Sequence, residues 1–332
     1  MLTIHRSTNA ILFLLLLCSS ILCAKQSVII DTDVGYDDLM AIMSLVNKPE
    51  VDVKAITITG TGLAHPEKGL ENIRLLLAFL NKNIPTAYGR EQPFEGGHLF
   101  PEDWRSSVDS ISEKIKDFVN ENINLSYECN AVELLAAKIN ASPEKITFLA
   151  LGPLTNLAEL FFKHPDLFQK INKIYIMGGA FNVPGNLSII KDSVAEWNIF
   201  ADPKAAKVVM ESGIPIYLIP LDVTNHVPLT MSFYEKVKKT HINTRKGEFF
   251  LSLLNGILPW IALDGFYFWD VIAAEILTDP SLAYFERYEI DVITAQGPDC
   301  GKTFFSENGF PVEIAIKVDA TKLLQAFCDT IK

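Results

Sequence analysis

The sequence predicts an α/β protein whose central sheet is mostly parallel and has helices on both faces. Short, continuous apolar segments alternate with segments of helical periodicity, and each apolar segment is followed by polar or glycine-rich residues. Strands that are buried on both faces read as continuous apolar runs of this kind. The 332 residues are 49% hydrophobic, and we find no repeat or long linker. We therefore expect a single domain built on a Rossmann-like open sheet.

The elements of this domain follow one another along the chain. We predict strands at 28–30, 53–58, 146–150, 173–177 and 214–219. Helical patterns separate them, at 39–46, 73–80, 131–140 and 203–212. Helical or hairpin insertions are expected late in the chain.

The N-terminus has the pattern of a secretory signal peptide, which we assign to residues 1–24. A weakly cationic start precedes an unbroken apolar run, and small residues follow before Lys25. The apolar run is short for a transmembrane helix, although a retained signal anchor is the alternative. We expect a secreted, extracellular protein whose domain covers 25–332. Cys129, Cys300 and Cys328 would remain, and their odd number allows at most one internal disulfide.

The net charge of −11 and the lack of basic runs argue against a nucleic-acid partner. In an open parallel sheet, ligands bind beyond the carboxyl ends of the strands. Four carboxylates lie at such a position, after the first predicted strand: Asp31, Asp33, Asp37 and Asp38.

Like charges this close repel one another unless a cation or protons neutralise them. Oxygen ligands favour a hard divalent cation, calcium before magnesium, and the absence of soft ligands argues against zinc. The spacing does not fit an EF-hand loop. Gly35 is expected to let the backbone turn sharply between the two pairs of aspartates. The alternative is an aspartate-rich helix N-terminus, which accounts for one or two of the carboxylates.

Residues 31–42 resemble the N-terminal fingerprint of the inosine–uridine-preferring nucleoside hydrolase superfamily. Residues 151–157 are similar to its central turn, residues 177–203 to its ribose-binding stretch, and Trp269-Asp270 to its late metal-ligand position. The resemblance runs from residue 28 to about 275. It implies a purine nucleosidase that cleaves the N-glycosidic bond of a small-molecule ribonucleoside to free base and ribose. It also implies a homodimer or homotetramer.

The resemblance implies a role for individual residues. Calcium would be bound by the carboxylates of Asp33, Asp38 and Asp270 and by the backbone carbonyl of Leu151. Asp33 would also be the catalytic base that activates a metal-bound water, and Asp31 would lie behind the ligands. The ribose would be contacted by Asp37, Met177, Asn186, Glu196 and Asn198. An acidic pocket of this kind stabilises the oxocarbenium-like transition state of glycoside cleavage.

The side of the site that would bind the base is predicted from two tryptophans. Trp269 stands where non-specific members carry a histidine as general acid, and Trp104 lies in a loop that resembles the purine-specific branch. The resemblance implies that Trp104 and Trp269 sandwich a purine and ease protonation of its ring. We interpret Trp197 and Trp260 as packing residues, which is the commoner role of tryptophan.

One loop departs from the family pattern. After the second strand, many relatives carry an Asn or Asp that contacts the substrate, whereas residues 59–65 here contain neither. His65 is a candidate to replace that contact, although a lone histidine is more often a packing residue. Three alternatives stay open: a pyrimidine-specific or non-specific hydrolase, a secreted nucleoside-binding protein without turnover, and a phosphorylase, for which we find no arginine cluster.

Overall fold

The computed structural model describes residues 25–95, 97–119, 130–187, 193–241 and 243–330. The predicted signal peptide and Cys129 lie outside these residues. The strands are β1 (Gln26–Thr32), β2 (Val51–Ile58), β3 (Thr86–Tyr88), β4 (Ile146–Ala150), β5 (Ile171–Met177), β6 (Ile216–Ile219), β7 (Ala283–Val292), β8 (Thr303–Phe305) and β9 (Phe310–Val318).

The helices of the first half are α1 (Tyr36–Leu45), α2 (Pro66–Phe79), α3 (Glu102–Asp109), α4 (Ile111–Lys116), α5 (Ala131–Ala141) and α6 (Thr155–Lys163). Those of the second half are α7 (Trp197–Ala201), α8 (Pro203–Met210), α9 (Leu221–Thr224), α10 (Met231–Thr240), α11 (Arg245–Gly256), α12 (Leu258–Ala262), α13 (Trp269–Thr278) and α14 (Ala320–Thr330). Short 3₁₀ turns cover Pro165–Lys170 and Pro280–Leu282.

All nine strands form one sheet, in the order β3-β2-β1-β4-β5-β6-β9-β7-β8. The pairs from β3 to β9 are parallel, and β7 pairs antiparallel with both β9 and β8. The predicted single-domain α/β fold with a mostly parallel sheet is therefore confirmed. The late insertions are also present, as α10–α12 and as the antiparallel β7–β9 unit.

The side chains of each strand point alternately to the two faces of the sheet, and a separate hydrophobic core lies on each face. Val28 and Ile30 of β1 belong to the cluster that contains α1, α2 and α13, whereas Ile29 belongs to the cluster that contains α5, α6 and α8. Successive strand side chains point to opposite faces, so an unbroken apolar run serves both cores. Every residue of β4 is buried in this way.

A third, smaller cluster lies beyond the sheet and includes Phe100, Trp197, Phe200 and Cys300. Cys328 is buried in the cluster that holds α14. Cys300 and Cys328 therefore lie in different clusters and do not bridge each other. No helix among the described residues has the length and apolarity needed to cross a bilayer.

Candidate active site

The segment that follows β1 lies where the strand order of the sheet reverses. β2 neighbours β1 on one side and β4 neighbours it on the other. Chains that leave such neighbouring strands separate and open a crevice, the usual ligand position in open α/β sheets. The backbone N–H of Leu151, just after β4, donates to the carbonyl of Asp31 at 2.8 Å. Leu151 therefore lies beside the aspartate segment.

Three carboxylates converge at this crevice from two helices. Asp37 and Asp38 lie in the first turn of α1, and Asp270 lies in the first turn of α13. One carboxylate oxygen from each lies within 4.8 Å of the others, and all three residues are buried. Both helices direct the positive end of their dipole toward these carboxylates. Such a set of oxygens can coordinate a hard cation.

Asp33 lies beside this group: burial raises the pKa of its carboxyl, and the neighbouring charge of Asp38 raises that pKa further. Oδ2 of Asp33 accepts from the backbone N–H of Leu63 at 3.0 Å. The surrounding backbone is close: an added Cβ on Gly62 would lie 2.1 Å from the Cβ of Asp33, and one on Gly152 would lie 2.8 Å from it. The loops after β2 and β4 therefore hold Asp33 from two sides.

The sharp turn between the two aspartate pairs is made by Val34, so the expectation for Gly35 was wrong. Val34 has a φ of 68°, a left-handed conformation that costs a residue with a Cβ about 1–2 kcal/mol. Its N–H donates to Oγ1 of Thr32 at 3.1 Å. Gly35 has a φ of −66°, but a Cβ there would lie 3.0 and 3.1 Å from carboxylate oxygens of Asp38 and Asp37. Glycine is therefore needed at position 35 for space.

Asp31 lies behind the converging carboxylates and is 1% exposed. Its Oδ1 accepts from Oγ1 of Thr57 at 2.6 Å and from Nδ2 of Asn156 at 2.8 Å. Its Oδ2 has no hydrogen-bond partner among the described residues. The side-chain hydroxyl of Thr32, the next residue along the chain, donates to the carboxylate of Asp38. Asp31 therefore belongs to a buried polar layer that supports the aspartates in front of it.

Burial raises the pKa of every carboxyl in this cluster, and the neighbouring negative charges raise most of them further. The pKa of Asp31 and of Asp37 rises to about 7, and those of Asp33 and Asp270 rise well above the usual range. No lysine or arginine in the described part of the chain forms an ion pair with these carboxylates. A divalent cation would supply the missing positive charge, so the donor set fits a hard metal ion.

Asn198 holds two backbone carbonyls at the ends of neighbouring strands. Its Nδ2 donates to the carbonyl of Leu151 at 3.0 Å and to that of Met177 at 3.1 Å. Because these two hydrogen bonds hold Nδ2 against the sheet, Oδ1 of the same side-chain amide points away from the sheet. Asn198 remains 7% exposed and Asp37 9%, whereas Asp31 and Asp38 are only 1% and 2% exposed. Asp37 and Asn198 are thus more accessible to a ligand than the carboxylates behind them.

Glu196 is the N-cap of α7. Its carboxylate accepts backbone N–H groups of Asn198, Ile199 and, across the loop after β5, Gly179. Burial nevertheless raises its pKa to about 7. Asn186 lies next to this turn, because its Oδ1 accepts from the backbone N–H of Trp197 at 3.0 Å. The structure thus brings Asn186, Glu196 and Asn198 together, although much of Glu196 is used by backbone donors.

Trp104 lies in an aromatic group on one side of the crevice. Its ring centroid lies 5.7 Å from that of Trp197 and 6.3 Å from that of Trp260. Trp197 is buried, as expected of a packing residue. Trp260 is 51% exposed, so our interpretation of it as a packing residue was wrong. Leu63 packs against the same cluster and connects it to Asp33.

Trp269 belongs to a second aromatic group. Its ring lies 5.1 Å from that of Phe266 and 5.3 Å from that of Tyr267, and its Nε1 donates to Oδ1 of Asn225 at 3.3 Å. It is partly buried and directly precedes Asp270. Trp104 and Trp269 therefore lie in separate groups, and within the described ranges no ring contact joins them.

The loop after β2 has a supporting function. Oγ1 of Thr61 lies 3.1 Å from that of Thr59 and 2.8 Å from that of Thr155, which donates to Asp202 at 2.8 Å. This buried chain of hydroxyls fixes the loop that contacts Asp33. The ring of His65 instead bonds Oδ2 of Asp109 at 2.7 Å, which connects the start of α2 to α3.

Several residues that shape the site were not found from the sequence. Gly62 and the backbone N–H of Leu63 hold Asp33, Thr57 and Asn156 hold Asp31, and Asn225 binds Trp269. The glycine-rich turn after the second strand was a usable signal for Gly62, and Asn156 lies in the turn at 151–157 that carries the family resemblance. The contacts made by Leu63, Thr57 and Asn225 join segments that are distant in sequence, so no local sequence pattern predicts them.

Comparison with known proteins shows extensive similarity. The sequence profile described as inosine–uridine preferring nucleoside hydrolase matches residues 28–325. A pyrimidine-specific ribonucleoside hydrolase, RihA of Citrobacter koseri, is 38% identical over 216 residues. That alignment covers 64% of this chain and 65% of the relative, slightly under two thirds of its length.

Solved structures are similar over more of the chain. An inosine–uridine preferring nucleoside hydrolase from Bacillus anthracis superposes with a TM-score of 0.79 at 27% identity, covering 92% of this chain and 99% of that one. A purine-preferring ribonucleoside hydrolase from Gardnerella vaginalis superposes with a TM-score of 0.76 at 23% identity, covering 92% and 98%. At that identity the second comparison supports the fold alone.

Proposed function

The chain belongs to the inosine–uridine preferring nucleoside hydrolase family, and from this premise we propose that it hydrolyses the N-glycosidic bond of ribonucleosides. The observation that carries the proposal is the convergence of Asp37, Asp38 and Asp270 within 4.8 Å, with Asp33 close enough for the charge of Asp38 to raise its pKa further than burial alone does. The family resemblance assigns Asp38 and Asp270 to the metal, Asp33 to the metal and the attacking water, and Asp37 to the ribose hydroxyls. A nucleoside-binding protein without turnover would not need this repulsive arrangement.

The metal that we propose is calcium, held by Asp33, Asp38, Asp270 and the carbonyl of Leu151. Oxygen donors of mixed carboxylate and carbonyl type suit the flexible shell of calcium better than the strict octahedron of magnesium. When bound, the cation lowers the pKa of a coordinated water and neutralises the cluster. In this proposal Asp33 would accept the proton of the attacking water, and the N–H of Leu63 holds one oxygen of its carboxylate.

In the proposed reaction, the oxygen of water bonds to the anomeric carbon while the bond from that carbon to the base breaks. The base leaves with the bonding electrons and takes a proton from solvent. Asp37 and Asn198, the more accessible polar residues of the site, would hold the ribose hydroxyls, and Asn186 and Glu196 would complete the sugar site. Met177 ends β5 and would lie beneath the sugar. The negative field of the site favours the ribosyl cation that develops.

We further propose a preference for purines. Trp104 and Trp269 offer aromatic surfaces in two separate groups. The family resemblance assigns them to the two faces of the base, and a purine presents the larger ring for such stacking. A second candidate is pyrimidine specificity, which is favoured by the name of the 38%-identical relative from Citrobacter koseri. The two candidates differ in the base only, and they share the chemistry at the sugar.

The experiment that tests the function measures free ribose released from inosine, guanosine, adenosine, uridine and cytidine, with calcium or with a chelator. We expect release that requires calcium and that falls at least about 1,000-fold in Asp33→Asn, because this variant cannot take the proton. Asp222→Asn is a suitable control, because Asp222 accepts N–H groups of Phe181 and Asn182 away from the metal ligands. Unchanged hydrolysis by Asp33→Asn would refute the mechanism, and ribose 1-phosphate as product would favour a phosphorylase.

The same panel separates the specificities. Faster release from the three purine nucleosides supports the tryptophan argument, whereas equal or faster release from uridine favours the second candidate. We also propose that the protein is secreted, on the basis of the pattern in residues 1–24. Recovery of the chain from the medium, with an N-terminus near Lys25, is the expected result.

A further inference from the structure

A buried polar cluster connects the two helices that carry the proposed metal ligands. It consists of Ser44, Lys48, Glu275 and Thr278, and we call it the helix clasp. Oε1 of Glu275 accepts from Oγ of Ser44 at 2.5 Å, and Oε2 accepts from Nζ of Lys48 at 2.6 Å. Nζ of Lys48 also donates to Oγ1 of Thr278 at 2.9 Å. Both oxygens of Glu275 are therefore bound from the α1 side.

The clasp lies at the opposite end of α1 and α13 from the aspartates. Ser44 comes six residues after Asp38, and Glu275 comes five residues after Asp270. At 1.5 Å per residue, these spacings correspond to about 9 and 7.5 Å along the two helices. Because the aspartates meet at one end and the clasp residues at the other, α1 and α13 run side by side in the same direction, and the clasp joins them at their C-terminal ends.

Burial makes the clasp a demanding arrangement. Ser44 and Glu275 are 0% exposed, and the side chain of Lys48 is 11% exposed. A buried ion pair loses hydration that its mutual attraction only partly replaces, so it contributes little to stability compared with apolar packing. A buried ion pair of this kind is better explained by its role in selecting one packing arrangement of the chain over others. Here the arrangement specified is the relative position of α1 and α13.

That position matters because the other end of the helix pair is repulsive. Asp37 and Asp38 on α1 and Asp270 on α13 are buried together, and in the described part of the chain they form no ion pair with a lysine or arginine. Loss of their protons before a cation binds therefore favours separation of the two N-termini. A connection at the C-terminal ends opposes sliding and separation of the helices. The ligand oxygens then stay close enough for a cation to bind without first reorganising the helices.

We propose that Glu275 is a positioning residue for the cation site, acting through Ser44 and Lys48, which rests on the proposed calcium-dependent function. Groups hydrogen-bonded directly to metal ligands commonly change metal affinity 10- to 100-fold when they are removed, and for a group that acts through the two helices we expect the lower end of this range. Loss of the clasp should therefore weaken calcium binding about tenfold or more. The KM for nucleoside at saturating calcium should change little, because Glu275 contacts neither sugar nor base.

The test measures the calcium dissociation constant of the purified chain by titration calorimetry, together with thermal unfolding in chelator. Glu275→Gln and Lys48→Met are expected to bind calcium at least about tenfold more weakly, and Lys48→Arg is expected to stay close to the unaltered chain. Glu71→Gln is the matched control: Glu71 is also buried and paired with two lysines, Lys68 and Lys116, but it connects α2 to α4. This control should lower the unfolding temperature and leave the calcium affinity unchanged.

The possible outcomes are distinct. If Glu275→Gln does not fold, the calcium affinity of Ser44→Ala tests the proposal instead, because this substitution removes only a single hydroxyl. Calcium affinity within twofold of the unaltered chain in the folded clasp variants overturns the inference, as does equal weakening in Glu71→Gln. Absence of calcium binding by the unaltered chain would overturn the proposed function itself. Weakened binding in the clasp variants, with hydrolysis restored by excess calcium, supports the positioning role.

Discussion

Substitution of Gly62 by alanine tests how precisely the loop after β2 positions Asp33. The added Cβ would lie 2.1 Å from the Cβ of Asp33, 2.9 Å from its Cγ and 2.7 Å from its Oδ2. Ordinary contacts between carbon atoms are about 3.5–4 Å, so one of the two segments must move by about 1 Å or more. That movement would also lengthen the hydrogen bond from Leu63 to Asp33, which is 3.0 Å.

A displacement of about 1 Å in a reacting group can lower the rate about 100-fold, which corresponds to about 2.7 kcal/mol of activation free energy. We therefore expect kcat for ribose release by Gly62→Ala to fall about 100-fold at saturating calcium. Gly213→Ala is the control, because Gly213 has a φ of 72° and open space around the added Cβ. It should cost about 1 kcal/mol of stability and leave kcat unchanged. A folded Gly62→Ala variant with kcat within threefold of the unaltered chain would refute the reasoning.

The remaining predictions concern protonation, the sugar side and the base side. Burial raises the pKa of Asp37 and of Glu196 to about 7, from ordinary values of 3.8 and 4.5, so the folded chain without metal holds protons that the unfolded chain releases. The contribution of these two carboxyls to the stability of the metal-free protein should therefore be complete below about pH 4 and should be lost as the pH rises through about 7. Thermal unfolding in chelator at a series of pH values measures this decline, and added calcium should reduce it. An unfolding temperature that does not change with pH would contradict the raised pKa values as the cause. Asn198→Ala frees the carbonyls of Leu151 and Met177 and removes a proposed ribose contact, so KM should rise at least about tenfold; an unchanged KM would remove Asn198 from the sugar site. Trp104→Ala should lower kcat/KM for inosine about tenfold and that for uridine less, and an equal loss on both would argue against purine stacking.

Local pattern was sufficient to predict much of the fold. β4 covers residues 146–150, as predicted, because five successive apolar or β-branched residues fit a strand that is buried on both faces. Helix α2 begins at Pro66, well before the predicted start at residue 73. Its first turn carries the exposed charged residues Glu67 and Lys68, and the buried polar pair Glu71-Asn72 separates the buried Leu70 from the apolar run that starts at Ile73. Apolar periodicity reports the buried face of an element, and it is a poor guide to where a solvated end begins.

The site illustrates a different limit. The four aspartates of the first motif are close in sequence, so their repulsion and their preference for a hard cation could be inferred directly. The left-handed turn at Val34 could not be inferred from the sequence, because valine does not favour a φ of 68°. Trp260 was likewise misjudged, because its exposure depends on how α12 packs beside Trp104.

The sequence by itself determined the α/β class, the strand after which the site lies and the donor chemistry of the first motif. These features depend on residue type and on spacing along a few turns or strands, where geometry is nearly fixed. Only the tertiary structure decided which groups support that motif: the N–H of Leu63 beside Asp33, the hydroxyl of Thr57 on Asp31, and the helix clasp behind the ligands. The physical reason is that these contacts join segments up to more than 200 residues apart. Their distances are set by the packing of whole helices on the sheet, and no local preference of the chain encodes that packing.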